Sequence, residues 1–133
     1  MENTNVRIDF RIMGNEYNVS EITEVLGVIP KETWNIGDTI RNTKRKRTYT
    51  AWIFSIEAEE IEDINTQIEK MKAIFLPKTD KLCKIKEQYN LDFSIDIVIN
   101  IEKQLPPAIY FENSLIQFVA KIGAILDIDT YIN

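Results

Sequence analysis

Three stretches of the chain alternate apolar and polar residues with a period of two. From Val6 to Ile12, Val6, Ile8, Phe10 and Ile12 point one way and Arg7, Asp9 and Arg11 the other, as in a strand with one buried and one wet face. From Leu91 to Ile101, Leu91, Phe93, Ile95, Ile97, Ile99 and Ile101 oppose Asp92, Ser94, Asp96, Val98 and Asn100; this is the clearest strand. From Ala124 to Ile132, Leu126, Ile128, Thr130 and Ile132 oppose Asp127, Asp129 and Tyr131. A fourth strand is predicted over Thr48 to Glu57, which is rich in β-formers around Tyr49, Trp52, Phe54 and Ile56. Shorter strands are expected at Thr33 to Ile36 and at Ile109 to Phe111. The first of these forms a hairpin with the Thr48 strand across the turn signal Gly37-Asp38 and the charged loop Arg41 to Arg47.

Between the strands the apolar period lengthens to that of a helix. Ser20 is the expected N-cap of a first helix, with Glu21 and Glu24 near its positive end and Ile22, Val25 and Leu26 as its stripe. Gly27 suits the left-handed stop, and Pro30 prevents resumption. Ile61, Ile64, Ile68, Met71 and Phe75 mark a second helix. Pro77 breaks it and suits the first turn of a third, with Leu82, Ile85 and Tyr89 inward and Asn90 at its end. Asn113 or Ser114 caps a last helix, with Leu115, Ile116, Phe118, Val119 and Ile122 inward and Gly123 as its stop.

This order predicts an α+β fold, a mostly antiparallel sheet with helices packed on one face, as one domain over residues 1–133. The glycine stops in Glu24 to Val28 and Ala120 to Ala124 echo each other. A duplicated strand-and-helix unit is one reading of that echo, and shared capping chemistry is the other.

The composition is globular, with 44% hydrophobic and 28% charged residues and no low-complexity tract. No apolar run approaches the ~20 residues needed to span a bilayer, and the first five residues carry no signal segment. With Cys83 as the one cysteine, an internal disulfide is excluded, which fits a reducing cytoplasm. The formal charge of -5 disfavours nucleic acid as a partner. The absence of histidine removes the usual proton-transfer side chain and the commonest metal ligand.

Several segments together resemble a known family. They are Phe10-Arg11-Ile12-Met13-Gly14, Glu21 to Pro30 with its leucine-glycine-x-x-proline, and Trp34-Asn35-Ile36-Gly37-Asp38. Trp52 follows a variable basic loop, and Ile122 to Tyr131 closes with Asp127-Ile128-Asp129. In this order they resemble the bacterial domain of unknown function 4279, over nearly the whole chain. The resemblance implies a small bacterial cytosolic domain and carries no activity or site residues with it.

Four groups of residues are candidates for chemistry. Cys83 has lysines nearby but no histidine base, so a half-buried structural thiol is its simpler role. Asp9, Asp92, Asp96, Asp127 and Asp129 are expected on outward strand faces, where convergence would suit a hard cation or an acid/base pair. Cross-strand ion pairs with Arg7 and Arg11 are the simpler outcome, and alternation alone leaves the convergence of Asp9, Asp96, Asp127 and Asp129 open. Arg41, Lys44, Arg45, Lys46 and Arg47 offer a phosphate site or a solvated hairpin tip that guards an edge. Trp34 and Trp52 offer an aromatic groove or core packing. Trp34, Asp38, Arg45, Arg47 and Trp52 therefore form the candidate ligand or partner surface, and nothing calls for a cofactor. The expected role is a non-enzymatic protein-interaction module, immunity-like or regulatory, for a partner with a basic surface. The alternative is a small-ligand or sensor domain using the Trp34 and Trp52 groove.

Overall fold

A computed structural model describes all 133 residues. Five strands, Asn5–Gly14 (β1), Glu32–Trp34 (β2), Thr50–Glu60 (β3), Asp92–Ile101 (β4) and Ile125–Ile132 (β5), form one sheet in the order β2-β3-β1-β4-β5. The β2–β3, β3–β1 and β1–β4 pairs are antiparallel, and β4–β5 is parallel. The fold is α+β with a mostly antiparallel sheet, as the alternation predicts. Four α-helices, Val19–Leu26 (α1), Asn65–Phe75 (α2), Thr79–Tyr89 (α3) and Asn113–Ile122 (α4), supply the covering layer. A single 3-10 turn, Leu76–Lys78, carries Pro77 between α2 and α3. No helix is long and apolar enough to cross a membrane.

The core lies between the helices and one sheet face, called the inner face here. Ile8, Phe10 and Ile12 of β1, Trp52 and Ile56 of β3, and Phe93, Ile95, Ile97 and Ile99 of β4 meet Ile22, Leu26, Met71, Phe75, Leu82, Ile85, Leu115, Phe118 and Ile122 from the helices in one cluster of 23 buried residues. Phe75 is its hub: its ring stacks on Phe10 at 4.4 Å and meets Phe54 edge-on at 5.4 Å, separations at which aromatic pairs add to simple burial.

Both glycine stops are left-handed, Gly27 at φ 68° and Gly123 at φ 65°, and Asn90 ends α3 at φ 54°. The first N-cap is Asn18 rather than Ser20. Its side-chain oxygen accepts from the Ser20 and Glu21 N–H groups at 3.0 and 3.4 Å, so the helix begins one residue before Ser20. At α4 neither Asn113 nor Ser114 caps. Glu112 holds the N-cap position without a side-chain bond, and the Ser114 hydroxyl accepts from the Lys72 amine instead. The second helix starts at Asn65, not near Ile61, because β3 runs on to Glu60 and Asp63 turns the chain by accepting from the Asn65 N–H at 2.9 Å. Ile109 to Phe111 is not a strand. An isolated bridge, Asp63 to Ala108, lies just before the segment. The segment itself is held by Tyr110, whose carbonyl accepts from the Asn65 amide and whose hydroxyl donates to Asp63, and by Phe111 against the core. Ile116, expected inward, is 52% exposed, since the buried stripe of α4 is Leu115, Phe118 and Ile122.

β5 alternates as expected but buries neither face fully. It is an edge strand: Leu126 packs partly against the core, but Ile132 is 76% exposed. The two strand-and-helix units continue differently. β4, α4 and β5 make a parallel crossover, whereas β1 and β2 are separated by β3.

At one point β1 and β3 slip. Val6 pairs with Glu59 and Ile8 with Ile56, so two steps along β1 oppose three along β3, a bulge. Gln67, fully buried on α2, fills it. Its amide donates to Val6 O at 3.0 Å and to Glu57 O at 2.7 Å.

Candidate functional site

No helix covers the other face of the sheet. Its central rows follow from register. Arg11 lies beside Ile53 and Ser94, and Asp9 beside Ser55 and Asp96, with Asp127 next in the same row. Alternation leaves convergence of the aspartates open; strand order brings Asp9, Asp96 and Asp127 into line, with Asp129 one row on beside Val98. Of these carboxylates, Asp9 and Asp96 have local partners. Asp9 accepts from the Arg7 Nε at 3.2 Å and the Ser55 hydroxyl at 2.6 Å, and Asp96 from the Ser94 hydroxyl at 2.5 Å. Arg11 Nε stands 3.8 Å from Asp96. No three of them close into a group able to hold a metal ion.

Burial holds the Asp96 carboxyl above the usual carboxylate range. Ser94 and Arg11 pull it down, and the neighbouring Asp127 and Asp9 charges push it further up. The folded protein therefore favours the protonated form more than the unfolded chain does. That contribution is fully present below the ordinary aspartate pKa and is lost as pH rises through the raised value. Asp96→Asn is thus expected to gain stability over the parent at pH 7 and to lose that advantage at pH 3. Urea melts at both pH values check this, and an equal difference at the two would sink the assignment.

At the opposite end of this face the β2–β3 connection folds up as an extended hairpin. Thr39 bridges Lys46, the Ile40 N–H donates to Arg45 O, and the Arg47 N–H donates to Asp38 O. Asp38 is a turn-former, accepting from the Asn35 N–H at 2.8 Å. Arg41, Lys44, Arg45 and Lys46 are solvated at the tip. Arg47 turns back, with its guanidinium carbon 3.7 Å from the Trp34 ring centre. Trp34 donates its indole N–H to Tyr49 O at 3.0 Å and meets the Tyr49 ring edge-on at 5.7 Å. The Tyr49 hydroxyl in turn accepts from Arg11 at 3.3 Å.

Trp52 does not join them. Thr33 pairs with Trp52, and Trp34 with Ala51, so the two tryptophans lie on opposite faces. Trp52 is fully buried and donates its N–H to the Thr23 hydroxyl at 3.0 Å. The expected Trp34–Trp52 groove is therefore replaced by one built from Trp34, Arg47, Tyr49 and Arg11. A sequence signal for this exists: Trp52, Phe54 and Ile56 alternate in step, which assigns Trp52 to the inner face. Tyr49 and Arg11 were the site residues missed, because only register sets them beside Trp34. Cys83 is half-buried against the core, with its thiol donating to Lys121 O at 3.6 Å.

A family model described as Domain of unknown function (DUF4279) matches residues 4–133. No curated protein and no solved structure matches the chain.

Proposed function

We propose a role for this chain from the premise that it belongs to the Domain of unknown function (DUF4279) family: it is a non-enzymatic protein-interaction module of a bacterial cytosol, immunity-like or regulatory, that engages a partner with a basic surface. The observation that carries this is the free edge of β5. The Asn133 N–H donates to Ile101 O, and in a parallel ladder alternate residues point to one neighbour. The N–H and C=O groups of Leu126, Ile128 and Thr130 therefore turn outward. Such an edge is a template for another strand. Antiparallel self-pairing registers centred on Asp127, Ile128 or Asp129 set aspartate against aspartate, which opposes a second copy. A partner strand carrying lysine or arginine meets the same aspartates favourably, and the net charge of -5 speeds its approach.

Pull-down from host lysate through a salt series, with the Asp127→Asn/Asp129→Asn variant alongside, tests the reading. The expected result is a stoichiometric basic partner released by moderate salt and lost from the double variant. A partner held equally by both proteins, or none at all, would overturn it.

A further inference from the structure

The groove beside Trp34 goes beyond that reading, because its charge is opposite to that of the β5 edge. It encloses about 470 Å³ between the outer sheet face and the β2–β3 connection, within the ~300–1,000 Å³ range of small-ligand sites. Four cations line it, Arg7, Arg11, Lys31 and Arg47, against two carboxylates, Asp9 and Glu32. Among the lining residues cations thus outnumber carboxylates, in a protein of net negative charge.

Two of these cations are already neutralised. Arg7 pairs with Asp9 at 3.2 Å, and Lys31 with Glu57 at 3.3 Å. Arg47 is not, and Arg11 is only loosely paired. Arg47 makes no ion pair; it is held by the face of Trp34 instead. Arg11 has one long contact, 3.8 Å to Asp96, and is tethered by the Tyr49 hydroxyl. Trp34 and Tyr49 are themselves fixed to each other. Both guanidiniums are therefore held by aromatic neighbours while most of their N–H donors stay unused. Much of the side-chain ordering that binding would otherwise require is already in place.

We infer that this groove is a binding site for the phosphate group of a small molecule, held between Arg11 and Arg47. A guanidinium fork matches phosphate oxygens in pairs. A phosphate monoester, with charge of about -1.5 to -2 near neutral pH, supplies the counter-charge that Arg47 lacks and that Arg11 has only at 3.8 Å. A nucleic acid strand is disfavoured on two counts. Arg47 occupies the face of Trp34 that a base would stack on, and the acidic surface beyond the groove repels a polyanion.

The two indole N–H groups make the test internal. In a nitrogen-proton correlation spectrum one signal belongs to Trp34, at the groove, and one to Trp52, in the core; Trp34→Phe identifies them. The protein is titrated with inorganic phosphate and with glycerol 1-phosphate, at ionic strength held constant with chloride. The expected result is a saturable shift of the Trp34 signal with Trp52 unmoved, and at least tenfold weaker binding in both Arg47→Gln and Arg11→Gln. Arg47→Lys keeps the charge but not the fork and is expected to fall between. An unchanged Trp52 signal certifies that each variant has kept its core. Tighter binding of glycerol 1-phosphate assigns a phosphorylated metabolite, and equal binding assigns free phosphate. A shift that chloride reproduces, or one that survives both glutamine variants, overturns the site. Loss of the basic partner on β5 would leave this result untouched.

Discussion

Replacing Trp52 with alanine is expected to remove about 3–5 kcal/mol of folding stability, the usual cost of truncating a large buried aromatic. Trp52 is fully buried in the central cluster, so its removal leaves a cavity bounded by side chains that cannot all close on it. It also leaves the Thr23 hydroxyl without the donor that reaches it at 3.0 Å. Against a total stability of ~5–15 kcal/mol, such a loss moves a urea midpoint far. The control is Trp34→Ala, on the outer face, which gives up one backbone hydrogen bond and a cation–aromatic contact and is expected to cost about 1 kcal/mol. Midpoints that fall equally for the two variants would contradict the assignment of the tryptophans to opposite faces.

Gln67→Leu is expected to cost about 2–4 kcal/mol despite being a swap of similar size. The side-chain amide serves two carbonyls at the β1–β3 bulge, Val6 O and Glu57 O. Each buried group left without a partner costs ~1–3 kcal/mol. The gain from burying leucine offsets part of this. The Gln67 Oε1 atom already lacks a partner, so the amide nitrogen carries the role. Equilibrium urea melts give the stability, and faster exchange of amides flanking the bulge in the variant would localise it. A cost below ~0.5 kcal/mol would mean that water takes the place of the amide.

The residues that read clearly in the sequence are those whose environment is set locally. Val6 to Ile12 and Leu91 to Ile101 alternate because one side is always covered, so their faces follow from counting. Gly27, Asn90 and Gly123 end helices because each takes a left-handed turn within its own segment. What did not read clearly depends on pairing across long stretches of chain. The alternation of β5 looks like that of β4, yet its position at the sheet edge, in parallel, leaves Ile132 in solvent. Whether Asp9, Asp96 and Asp127 line up is decided by strand order, which alternation does not encode. Trp34 and Arg47 were legible as site candidates, but their partners Tyr49 and Arg11 came together only through the register of β1, β2 and β3. Gln67 gave no signal, because the bulge it serves lies on two other elements.

The position of β1 between β3 and β4 also bears on how the molecule is made. The central strand precedes both of its neighbours along the chain, and the Asn100 side chain meets Asn5 across 95 residues. Closing so long a loop comes before any reward from the contacts it permits. Folding is therefore expected in milliseconds to seconds rather than microseconds. During synthesis at ~5–20 residues per second, β1 waits several seconds for β4, with its apolar side uncovered and one edge unpaired. That interval, rather than the finished fold, is when the chain is most exposed to aggregation.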